Sequence, residues 1–128
     1  MNYYINKIVA LSYDEAVSKV TEELKREGFG VLTEIDVKKT LKKKLDVDFQ
    51  KYIILGACNP PFAYQALQAE NKIGILLPCN VIVQEYEDGI VEVAAMDPAS
   101  AMEVINNPKL TEIAQKVRAK LKNVIDQL

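Results

Sequence analysis

The chain has 128 residues, 49% of them hydrophobic and 27% charged, and its 16 Lys and Arg nearly balance 18 Asp and Glu for a net charge of −2. That balance describes an ordinary globular protein rather than a disordered chain, and it argues against general binding to nucleic-acid backbones, which needs a basic surface. Histidine is absent, which excludes Ser-His-Asp and Cys-His catalytic machines, imidazole metal ligands and any unperturbed side chain titrating near neutrality.

Asn2 to Val9 is rich in Tyr, Ile and Val and predicts a first strand. Ser12 with Glu15 forms a capping-box signature, and Ala16, Val17, Val20 and Leu24 keep helical spacing up to Gly28. A helix is therefore predicted from about Tyr13 to Glu27. Val31, Thr33, Ile35 and Val37 alternate as in a strand with one buried face, and Asp36 can cap a short helix over 37–45. In that helix Val37, Leu41 and Leu45 are expected to pack while five lysines between Lys38 and Lys44 stay in water.

Tyr52 to Cys58 reads as a buried strand that stops at Asn59-Pro60-Pro61. Asn59 is a good N-cap and Pro60 fits the first position of a helix running to about Glu70. Cys79 to Glu87 and Ile90 to Met96 are β-patterned runs joined at Asp88-Gly89, a strong hairpin signal. Asp97-Pro98 and Asn107-Pro108 start a short helix and a long one, the latter with an apolar stripe from Leu110 to Leu128.

No repeat, linker or low-complexity stretch interrupts this pattern, so a single domain over 1–128 is expected. The element order predicts an α+β architecture, a mostly antiparallel sheet with helices packed on one face in the order β-α-β-(α)-β-α-β-β-(α)-α. No apolar run reaches the roughly 18 to 20 residues that span a bilayer, and Met1 to Ala10 has no signal-peptide pattern. A cytoplasmic location is expected, with no membrane and no nucleic-acid partner, and with both cysteines as thiols.

If the strand ending at Cys58 is the antiparallel neighbour of the strand starting at Cys79, the end of one meets the start of the other. The hairpin then returns Asp97 to the same margin, so Cys58, Asn59, Cys79, Asn80 and Asp97 gather beside the start of the helix at Pro60. These residues are the candidate ligand-binding rim, for a small molecule or a partner. The plain structural alternative is that the thiols are small buried hydrophobes and the Asn and Asp residues caps and turn formers.

A thiol redox enzyme or sensor is the second functional reading. The helix dipole at Cys58 contributes only about 0.3 to 1 kcal/mol, too little to ionise at neutrality a thiol of ordinary pKa about 8.5. The third reading is soft-metal binding of Cu(I) or Zn(II) by Cys58 and Cys79. Two cysteines fill half a tetrahedral zinc shell, and the twenty residues between them match no familiar finger spacing, so Asp97 or a second subunit would have to contribute.

Other motifs are weaker. The lysine run from Lys38 to Lys44 lacks the interleaved aromatics of an RNA-binding patch. Gly28-x-Gly30 has Thr33 where a dinucleotide fingerprint needs its third glycine, and it follows a helix instead of a strand. Glu22 with Glu23 and Glu85 with Glu87 fall on faces expected to be exposed.

Val31 to Lys38, Gly56-Ala-Cys-Asn-Pro-Pro, Leu76-Leu-Pro-Cys-Asn-Val and Asp97-Pro98 together resemble the family called domain of unknown function 302. Thr33, Glu34, Asp36, Cys58, Asn59, Pro60, Pro61, Pro78, Cys79, Asn80 and Asp97 are the matching positions. The resemblance implies a compact α+β domain with a TATA-binding-protein-like arrangement, and a homodimer. It implies no established activity, cofactor or catalytic residue.

Overall fold

The computed structural model describes residues 2–128. Its strands are β1 (Tyr4–Val9), β2 (Gly30–Asp36), β3 (Tyr52–Cys58), β4 (Cys79–Glu85) and β5 (Val91–Met96). Its helices are α1 (Tyr13–Arg26), α2 (Val37–Leu45), α3 (Pro60–Ala69), α4 (Pro98–Ala101) and α5 (Pro108–Asp126), with 3-10 turns at Ile73–Leu76 and Glu103–Ile105. The five strands form one antiparallel sheet in the order β1-β5-β4-β3-β2. The expected α+β architecture is the one observed.

Local chemistry explains the elements. The capping box closes α1, with the Ser12 side chain accepting from the Glu15 amide and Glu15 accepting from the Ser12 amide. Gly28 leaves that helix at φ +86°, a conformation open to glycine. Asp88-Gly89 turns β4 into β5, with Gly89 at φ +83°. The Asn107 side chain accepts from the Lys109 and Leu110 amides at the start of α5.

The core lies between the sheet and the helices α1 and α5. Leu55, Ala57, Val81, Val83, Val91, Val93 and Ala95 point into it from alternate strand positions. Ala16, Val20 and Leu24 meet them from α1, and Val117, Leu121, Val124 and Ile125 from α5. Each large side chain withdrawn from water there contributes about 1.5 to 3 kcal/mol. The intervening residues Ile82, Gln84, Glu92, Ala94 and Met96 are half-buried on the opposite face.

Three features depart from expectation. β2 carries a bulge between Val31 and Thr33: Val31 faces Ala57 across the ladder, yet Thr33 faces Gly56. The extra residue flips the alternation, so Val31 points to the core while Thr33 and Ile35 point away and are exposed. α2 buries no residue, and Leu45 is exposed, because the helix lies beside the β2 and β3 margin instead of over the core. Glu23, expected at the surface, is buried on α1 and pairs with Arg26 at 3.5 Å.

Candidate functional site

Antiparallel pairing of β3 with β4 places Ala57 opposite Cys79. Val81 faces Ala95 in the next ladder, so Asp97 comes level with Cys79 two residues on. The end of β3, the start of β4 and the end of β5 thus converge at one sheet margin, where α3 begins. All five candidate residues lie there, and both thiols are free.

The strand pleat then divides them. Ala57 and Cys79 point toward the helices and are buried, whereas Asn80 is exposed on the opposite face. Cys58 is half-buried and out of step with Ala57, yet near enough to couple electrostatically to Cys79. Burial first, and the electrostatic effect of neighbouring Cys58 second, push the Cys79 thiol up to about 11. Cys79 therefore stays protonated at neutrality and is a poor nucleophile.

Asn59 stands at the N-cap position of α3 but makes no capping bond with its side chain. Pro60 and Pro61 have no amide hydrogens to satisfy, so the first turn asks little of a cap. The Asn59 side chain instead donates from Nδ2 to the Glu27 carbonyl at 3.2 Å. It packs against Gly28, where an added Cβ would lie 3.2 Å from that nitrogen. Two separated signals, a helix-ending glycine and a strand-ending asparagine, are thus one contact.

Asp97 is fully engaged. Its Oδ1 accepts from the Ala99 and Ser100 amides at 3.0 and 3.4 Å, and its Oδ2 accepts from Arg118 Nε at 2.9 Å. The carboxylate thereby caps α4 and ties it to α5. It has little capacity left for a metal beside the cysteines. Among the described residues no group of three or more Cys, Asp or Glu side chains is arranged to hold an ion.

A cavity of about 300 Å³ opens behind the margin, between α3, α5 and the strand ends. Cys58, Asn59 and Cys79 border it. Phe62 and Ala66 of α3 and Met102 and Ala114 from the far wall supply apolar surface. Ala66 and Ala114 are almost fully buried, and their short side chains leave the space that larger residues would fill. The far wall escaped sequence reasoning because α5 begins 50 residues after Cys58 and 29 after Cys79, with no local signal joining them; the available signal was alanine at inward positions of two helices.

The lysines of α2 are partly neutralised locally. Lys42 pairs with Asp46 at 3.0 Å and Asp48 at 3.5 Å, and Lys38 donates to the Phe49 carbonyl. Among the described residues no helix is long and apolar enough to cross a membrane.

The family model described as domain of unknown function DUF302 matches residues 5–128. A solved structure of an uncharacterized conserved DUF302 protein from Bacillus stearothermophilus is 30% identical and superposes with a TM-score of 0.92, covering 99% of this chain and 98% of that one. No curated protein matches the chain. With that match over nearly the whole chain and that superposition, the chain belongs to the domain of unknown function 302 family.

Proposed function

We propose that this protein is a ligand-binding module that takes a small, mainly apolar molecule into the cavity behind the cysteine margin. The observation that carries the reading is the cavity itself: about 300 Å³, bounded by apolar side chains, with an amide in its wall. Pockets that hold small molecules begin at about this size and combine an apolar lining with a few fixed polar groups. Asn59 is such a group. Its Nδ2 is held by the Glu27 carbonyl, which leaves Oδ1 to accept from a hydroxyl or N–H on the ligand.

Cys79 contributes apolar wall and not a thiolate, which weighs against a thiol enzyme at that residue. A cytoplasmic setting, which keeps both thiols reduced, completes the reading.

Calorimetric titration with benzyl alcohol and with toluene tests it. Saturable binding of benzyl alcohol is expected, about tenfold weaker for toluene because one hydrogen bond is missing. Ala63→Phe, on the half-buried side of α3 that borders the cavity, is expected to abolish both while thermal stability is kept. No saturable binding of either compound up to its solubility limit would refute the proposal.

A further inference from the structure

We propose that the sheet face opposite the helices carries a second site, a tyrosine-ringed depression that binds an organic ammonium ion at Glu92. The depression is distinct from the apolar cavity and occupies about 430 Å³ over β1, β5 and β4. Tyr3, Tyr4, Tyr52 and Tyr86 surround it, and Ile82 and Met96 supply apolar floor.

Several contacts place these phenols in one neighbourhood. The Tyr3 and Tyr4 rings meet edge to face at 5.0 Å. Titration of Tyr52 couples to Tyr3 and Glu92, and that of Tyr86 to Glu92, Tyr52 and Tyr4. A hydrogen bond to Glu92, with burial second, pushes the Tyr86 phenol up to about 12, so it remains a neutral donor.

Glu92 lines the depression, and among the described residues no cation pairs with it. Its Oε2 accepts from Asn6 Nδ2 at 2.7 Å, and its Oε1 accepts from the Tyr86 hydroxyl at 2.5 Å and from Gln84 Nε2 at 3.1 Å. All three donors are neutral, and none of the ion pairs among the described residues includes Glu92. The nearby lysines are committed elsewhere. Lys7 alternates to the other face of β1 and donates to the Leu128 carbonyl at 2.7 Å, and Lys51 lies over the Tyr13 ring.

A carboxylate offers about four acceptor directions, of which three are filled. An ammonium group supplies the missing donor and the missing charge together. Aromatic rings attract the same cation through their negative faces, and Met96 and Ile82 suit an attached alkyl chain. A second copy of this chain is the competing occupant. Symmetric pairing through this face would bring two uncompensated carboxylates toward each other, which disfavours it.

The test is titration with n-butylammonium chloride against n-butanol at constant ionic strength, read by tyrosine fluorescence and amide NMR shifts, with sedimentation in parallel. Saturable binding of n-butylammonium centred on Glu92 and Tyr86 is expected, with n-butanol giving none. Glu92→Gln is expected to weaken it about tenfold while benzyl alcohol binding in the apolar cavity is unchanged. Equal responses to amine and alcohol, or unaltered amine affinity in Glu92→Gln, would overturn the proposal. So would a dimer that buries this face and excludes the amine. Should Glu92→Gln fail to fold, the comparison of cation with alcohol on the unaltered protein decides alone.

Discussion

The two faces of the same strands have different chemistry. Along β4, Cys79, Val81 and Val83 point under α1 and α5 into a dry core, and at the strand ends that side opens into an apolar cavity. Asn80, Ile82 and Gln84 point the other way, toward tyrosine rings and a carboxylate held by amides. One-sided helix cover is the cause: a period of two residues deals neighbouring side chains into different solvents. The lesson is that adjacency in sequence, even within one motif, does not put two residues in one site.

Adjacent residues of β3 give the strongest way to break this contrast. Leu55, fully buried under the helices, is expected to lose about 2 to 5 kcal/mol as Leu55→Ala, and half-buried Ile54 about 1 kcal/mol as Ile54→Ala, measured by urea unfolding. Equal losses would show that the second face is covered too.

A smaller effect is expected where the bulge closes on the margin. A Cβ at Gly56 would collide with Thr33 Oγ1 and lie 2.8 Å from Pro78 Cγ, so Gly56→Ala should cost about 1 to 3 kcal/mol. Thr33→Ala in the same chain should recover part of that loss. A neutral Gly56→Ala would mean that the backbone yields there and that the bulge is soft.

The smallest expected effect separates the thiols by pH. Burial raises the folded-state Cys79 pKa from 9.0 to about 11, so its stabilising contribution is complete below pH 9 and is lost as pH rises toward 11. At pH 10 the loss is about 1 kcal/mol. Tyr13, pushed up to about 12 by burial and then by Asp36, adds a separate loss above pH 10. The stability of the unaltered protein relative to Cys79→Ala should therefore fall by about that amount from pH 8 to pH 10; parallel curves would mean that Cys79 is not buried in solution.

Much of the fold was legible because its signals are local. Ser12 with Glu15, Asp88-Gly89 and the Asn107-Pro108 cap each fix an end or a turn through contacts within a few residues. The candidate margin was legible one step further, since a single antiparallel pairing brings Cys58 and Cys79 together. What stayed hidden depends on side-chain direction and distant partners. The β2 bulge reverses Thr33 and Ile35 with an ordinary leucine, Leu32, as its extra residue, and Asn59 abandons its cap for Glu27 because two prolines remove the amides. Arg118 on Asp97, the α5 wall and the tyrosine ring all join residues far apart in the chain.

Methyl NMR of alanine- and methionine-labelled protein during a benzyl alcohol titration tests the ligand-binding reading most directly. Saturating shifts at Ala66, Ala114 and Met102, with Ala94 and Met96 on the opposite face unmoved, are the predicted result. Shifts at Ala94 and Met96 instead, or none at the cavity methyls at saturating alcohol, would contradict it.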